Sequence, residues 1–447
     1  MKNKLWLAIA LLLATFLNLH AQTAQQSYTL KDCIEYSLKN NPTNIIFSND
    51  VLSANQKKVE ALSGYLPQIN GNVNWDDNLK RQTTVLPGAA FGQPEDVKLQ
   101  FGNQYITTAV AQLDQTIYDQ TLISGLAGIK PNQASAELKK AKNDDDLIYN
   151  TAIAYYRIVT IKEQAKLLEQ NLKKFKELEN LQKLLLDKGV IKKTDYDRVR
   201  VGLNNITSQT MLVQSNLEVA TNSLKNAMGM PLDQPISIID SVSILPSQML
   251  PTQNMYDVKN TWDYQILTKN ILLQEVQLKR TRAGYFPTLG FYARYGAQAF
   301  GNNFSESFND WYDYGGVGLK LQVPIFDGLR KSSLVKQATL TLSNARQSLI
   351  LTENGLKLQY QNANAQLLSS YTNLQSNKEN LDLAKEVFDN TTFQYQKGVA
   401  GLSDVLNADY SLKEAQTNYL TSFINYLVAK TDIEKAKGTL KQYITQF

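Results

Sequence analysis

The side chains that could do chemistry are few, and most of them are carboxylates. His20 is the only histidine and Cys33 the only cysteine in 447 residues. His20 falls in a stretch that reads as a removable leader, so the mature chain keeps no imidazole, and disulfides, histidine catalysis and zinc sites have no basis. Cys33, within the helical pattern Leu30-Lys31-Asp32-Cys33-Ile34, reads as a small core residue. The run Asp144-Asp145-Asp146 has the residue types for carboxylate acid–base work, but on a long helix it reads as a solvated or lumen-facing charge cluster. Asp195 and Asp404 stand 209 positions apart, each at the start of a helical pattern, where the plain reading is an N-cap.

The same interval relates Gly189 to Gly398 and Gly229 to Gly438, and the elements around them repeat with it. Downstream, Val405, Ala408, Leu412, Ala415, Tyr419, Ser422, Tyr426, Ala429, Ile433, Ala436 and Leu440 alternate three and four apart, a heptad seam. Upstream, Tyr196, Val199, Leu203, Ile206, Thr210, Val213, Leu217, Ala220, Leu224 and Ala227 keep the same phase. The chain therefore reads as a tandem duplication, with copies over 22–229 and 256–438, a proline-rich linker over 230–255 and a tail over 439–447.

Lys2 and Lys4 precede an apolar run from Leu5 to Leu19, with Ala21 before a cut ahead of Gln22, so residues 1–21 read as a signal peptide. No other apolar run approaches helical membrane-spanning length, so any passage through a membrane would be made by strands. The 46 basic and 41 acidic side chains leave a small imbalance spread along mixed helices, which gives nucleic-acid binding no support.

Period-two segments supply such strands. Ile69, Gly71, Val73 and Trp75 alternate with Gln68, Asn70, Asn72 and Asn74; Leu289, Phe291, Ala293, Tyr295 and Ala297 alternate with Thr288, Gly290, Tyr292, Arg294 and Gly296. Hairpins are expected over about 67–81 with 104–118, and about 287–299 with 312–326, the first with a long exposed loop. Alternation alone also fits a half-buried soluble sheet, but the leader, the amide faces and aromatics at strand ends point to lipid. Long helices follow at about 121–187, kinked near Pro131, and about 328–396, each spanning roughly 100 Å.

Two copies of helix, Gly-Tyr-Leu/Phe-Pro, hairpin, Ile-aromatic-Asp, long helix, Lys-Gly-Val turn and helix resemble the TolC family of outer-membrane efflux proteins. The motifs are Asn40-Asn41-Pro42, Lys188-Gly189-Val190 with Thr194-Asp195, and Lys397-Gly398-Val399 with Ser403-Asp404-Val405-Leu406, and the resemblance covers essentially the whole mature chain. Four strands cannot close a barrel alone, so oligomerisation is required; dimer, trimer and tetramer would supply eight, twelve or sixteen strands.

The resemblance implies the trimer: a mainly α protein whose twelve-stranded β-barrel continues into a periplasmic α-helical barrel. It implies an outer-membrane channel-tunnel of a Gram-negative bacterium, without cofactor or enzymatic activity, serving as exit duct of a tripartite efflux or type I secretion system. Its partners would be a periplasmic adaptor (membrane fusion protein), an inner-membrane pump of RND or ABC type, and outer-membrane lipid. It also implies a periplasmic gate at the tip turns Gly189 and Gly398, with Tyr395 bonding to Asp195 beside Thr194, and Asp404 and Asn407 at the aperture. Asn407 stands where the family has a second aspartate and Ala400 where some relatives have a basic residue. The alternative class is a periplasmic coiled-coil adaptor, which would need small β-modules for which the chain has no room.

Overall fold

The structure is a computed structural model that describes residues 26–92, 94–239 and 256–444. The leader and its cleavage point, 240–255 of the linker and 445–447 of the tail lie outside the described residues. The chain divides into two compact units, one formed by residues up to Val51, Ala136–Leu267 and Leu349 onward, the other by Leu52–Ser135 and Thr268–Ser348.

The first unit is helical apart from one parallel pair, β1 (Gln26–Tyr28) on β6 (Ile236–Ile238). Helix α1 (Leu30–Asn40) starts on a capping box, in which Thr29 and Asp32 each accept from the other's backbone N–H. It ends at Asn41, whose amide donates to Ala227 O at 2.9 Å and whose carbonyl accepts from Thr43 N at 2.9 Å. That clamp explains the Asn-Pro motif, since α2 (Pro42–Ser63) begins on the proline, whose missing N–H costs nothing there. Gly229, at φ +71, lies under the clamp, and a Cβ on it would stand 2.7 Å from Asn41 Cα.

Long helices α4 (Ile129–Asp187) and α7 (Arg330–Gln396) return through α5 (Lys193–Met228) and α8 (Leu402–Lys437). The seam positions expected on α5 and α8 are buried or half-buried throughout. The main core gathers Ile148, Tyr155 and Ile158 of α4, Leu224 and Met228 of α5, Phe423, Tyr426 and Ile433 of α8, and Cys33 of α1. Cys33 is wholly buried, so it serves as the small core residue the sequence suggests. The expected kink at Pro131 is displaced. The chain breaks at Ala127–Gly128, after α3 (Gln120–Leu126), so Pro131 sits in the first turn of α4, where a proline is tolerated. No described helix is long and apolar enough to cross a membrane.

The second unit contains a four-stranded antiparallel sheet in the order β2 (Gln68–Asp77), β5 (Tyr105–Asp119), β7 (Thr288–Gly301), β8 (Trp311–Gln322). Strand β8 stops short of the expected 326, ahead of Pro324, which has no N–H for a ladder. Strand β2 ends at Asp77 rather than 81. The long exposed loop expected between β2 and β5 carries its own hairpin of β3 (Thr83–Leu86) and β4 (Val97–Gln100). The helix after the first hairpin starts on Asp119 as its N-cap, accepting from Thr121 N at 2.7 Å, and ahead of α7 Asp327 accepts from Lys331 N of the first turn at 3.0 Å.

Candidate functional site

The sheet is two-faced, because opposed residues of antiparallel strands share a face. One row runs Ile69, Leu113, Ala293, Val317, and another Trp75, Thr107, Ala299, Trp311. The rows between them run Asn70, Gln112, Arg294, Gly316 and Asn74, Thr108, Gln298, Tyr312. The alternation read from single strands is therefore in register across all four. Aliphatic side chains of the first face stand in the open, with Val73 and Val317 each 74% exposed. At the loop end the same face carries Trp75 stacked on Tyr105 at 5.6 Å, with Trp311 beside them in the row. The outer edges of β2 and β8 have no partner strand among the described residues, so backbone groups along both edges are free to pair with another chain.

The second feature is the pair of tip turns. Gly189 (φ +69) and Gly398 (φ +76) each end a long helix in the left-handed region. Val190 N bonds to Leu185 O and Val399 N to Gln394 O, both at 2.9 Å, the Schellman pattern that calls for glycine. Neither aspartate beyond the turns is the N-cap expected of it, since Lys192 and Gly401 hold those positions. Asp195 and Asp404 sit one turn in, where a carboxylate favours the helix N-terminus electrostatically. Asp404 accepts from Gly401 N at 2.9 Å, and Asp195 lies 4.0 Å from Arg198.

Tyr395 and Asp195 are not joined within one chain. The Tyr395 hydroxyl accepts a hydrogen bond from Gln182, a residue wholly buried on α4, and the Gln182 Oε1 has no donor. Arg198 reaches across from α5 to donate to Ser403 Oγ of α8 at 3.4 Å, tying the two turns together. Gln182 and Arg198 were not singled out from the sequence; Gln182 reads there as one more amide on a charged helix, and only its burial reveals it. Thr194, Asp404 and Asn407 are exposed. So are Ser411, Glu414, Asn418, Thr421 and Asn425, which gives α8 one continuous polar face beside its buried seam.

The aspartate run is not the solvated cluster expected. Asp145 belongs to the α4 seam, is 5% exposed, and accepts from Trp262 Nε1 at 2.6 Å, and burial pushes its carboxyl above the usual carboxylate range. Asp144 pairs with Lys140 at 3.4 Å and Asp146 with Lys435 at 2.8 Å. The three are spoken for by packing and ion pairs. Nearby, Tyr149 donates to Asp432 at 2.7 Å, and its pKa is pushed up to about 12, chiefly by burial.

Comparison with known proteins agrees with this arrangement. The family described as "Outer membrane efflux protein" matches residues 273–439. The outer membrane protein TolC of Escherichia coli (strain K12) is 22% identical over 351 residues, covering 76% of this chain and 71% of TolC. The alkaline protease secretion protein AprF of Pseudomonas aeruginosa is 20% identical over 419 residues, covering 92% and 85%. Among solved structures, the CmeC outer membrane channel of Campylobacter jejuni superposes with a TM-score of 0.75 at 16% identity, covering 93% of this chain and 88% of that one. CusC superposes with a TM-score of 0.74 at 17% identity, covering 93% and 94%.

Proposed function

We propose that the chain is a TolC-like outer membrane efflux protein and, on that premise, the outer-membrane exit duct of a tripartite efflux or type I secretion system. The observation that carries this reading is the two-faced sheet with two free edges. An apolar face with an aromatic row suits lipid, an amide face suits a water-filled lumen, and free backbone edges in lipid must be closed by further copies. Three copies, as in the family, would make a barrel of twelve strands, formed from two duplicated hairpins per chain. The coiled helices would continue the duct into the periplasm.

Within this reading the tip turns at Gly189 and Gly398 form the periplasmic end. Three copies of Asp404 around the axis would set an acidic ring, with Asn407 one turn further along the same exposed face. Clustered carboxylates attract cations and disfavour anions. Thr194 and Asp195 flank that ring, and Tyr395 holds the neighbouring helix end. A periplasmic adaptor and an inner-membrane pump would complete the system, handing small molecules or proteins to the duct. The competing adaptor reading accounts for the long helices but leaves the apolar sheet face without a use.

Two measurements test the proposal together. The protein should fractionate with the outer membrane, and the purified protein should insert into planar bilayers and conduct. A periplasmic, non-conducting protein would overturn it.

A further inference from the structure

The amide face of the sheet is not uniform. On β2 and β5 it carries Asn70, Asn72, Asn74, Gln112 and Asp114, but on β7 and β8 it alternates rings and cations with glycines. Tyr292 stands opposite Gly318, and a Cβ on that glycine would lie 2.7 Å from the tyrosine Cζ and Oη. Tyr314 stands opposite Gly296, where an added Cβ would lie 3.1 Å from the same two atoms. Each tyrosine therefore leans across to the neighbouring strand and sets the hydroxyl end of its ring over a glycine. Between the two tyrosines, on the same face, Arg294 faces Gly316 and is exposed. Lys320, opposite Gly290, continues the line toward one end, and Phe300 with Tyr312, their ring centroids 6.0 Å apart, toward the other. No carboxylate lies on this face of β7 or β8, and among the described residues neither Arg294 nor Lys320 makes an ion pair.

We infer that this strip is a low-affinity track for planar aromatic anions passing through the barrel. The tyrosine rings offer stacking platforms, and an unpaired guanidinium between them offers charge and planar hydrogen bonding to a carboxylate or sulfonate. The glycines make room for the rings to lean across the neighbouring strand, which keeps the passage open. A bulkier residue at Gly318 would displace Tyr292 from the wall. The inference rests on the proposed function only in requiring that this face line the pore.

The probe is 2-naphthalenesulfonate added to single channels in planar bilayers, against methanesulfonate, which keeps the anion and lacks the ring, and naphthylmethylammonium, which keeps the ring and reverses the charge. The sulfonated naphthalene should cause resolvable current interruptions that the other two do not. Tyr292→Ala with Tyr314→Ala should shorten them about tenfold, and Arg294→Gln should lower their frequency. Gly318→Val, which retains both tyrosines, should also shorten them, and serves if the double variant fails to assemble. Equal block by all three probes, or block unchanged in Gly318→Val and Arg294→Gln, would overturn the track. Absence of any channel in salt alone would instead refute the proposed function.

Discussion

The Tyr395 hydroxyl, on a half-buried residue, is held by Gln182, which is wholly buried on the preceding long helix, while Asp195 engages Arg198 on its own helix. The contact joins an amide to a hydroxyl and uses no ion pair, so it does not depend on the basic residue or the second aspartate that the family resemblance would place at Ala400 and Asn407. Removing either partner should loosen the helix ends at the tip. Tyr395→Phe and Gln182→Leu should each raise open-state conductance in bilayers, and the double variant should do no more than either alone. Asp195→Ala should act less than both. Additive effects, or a dominant effect of Asp195→Ala, would place the latch elsewhere.

The sheet faces make a second, sharper expectation. Val317 lies mid-strand on the apolar face opposite Ala293, and Asn72 lies mid-strand on the amide face opposite Val110. Lysine at Val317 should cost about 2–4 kcal/mol of barrel stability in lipid, the price of a cation at mid-membrane, whereas lysine at Asn72 should be tolerated. Leu321, one residue from the end of β8, should be far more forgiving than Val317. Urea or guanidinium unfolding in liposomes measures this, and equal costs at Val317 and Asn72 would reverse or abolish the assigned faces.

Much of this was legible in the sequence, and the misses share one cause. Period and spacing disclosed the heptad seams of α5 and α8, the alternating strands and the glycine turns, because each depends on local geometry and each residue's own type. What the sequence could not display was which polar residue lies inside. Asp145 falls in phase with Ile148 and Ala152, yet in a run of three aspartates its charge outweighs its phase; Gln182 gives no signal at all. The break before Pro131 was misplaced because Gly125 and Gly128 end the preceding turn first, with Gly128 N bonded to Gly125 O at 2.9 Å.

Asp145 also carries a pH dependence with a definite sign. Burial raises its folded pKa above the ordinary 3.8, so the folded state binds the proton more tightly than the unfolded chain does. Its contribution is most favourable below that value and is lost as pH rises through the window up to the folded pKa. Asp145→Asn keeps an acceptor for Trp262 Nε1 and removes the charge. The variant should gain stability over the wild type at pH 7 and show little difference at pH 3, as read by thermal melts of detergent-solubilised protein. A variant less stable at pH 7 would mean that the charge is stabilised by its surroundings, against the burial seen here.

The central claim is that the free edges of β2 and β8 are closed by other copies of the same chain, because four strands cannot enclose a lumen alone. Native mass spectrometry of the protein extracted from outer membranes in mild detergent tests it most directly. The account predicts a single species with the mass of three mature chains, and a stable monomer that retains its strand content would contradict it.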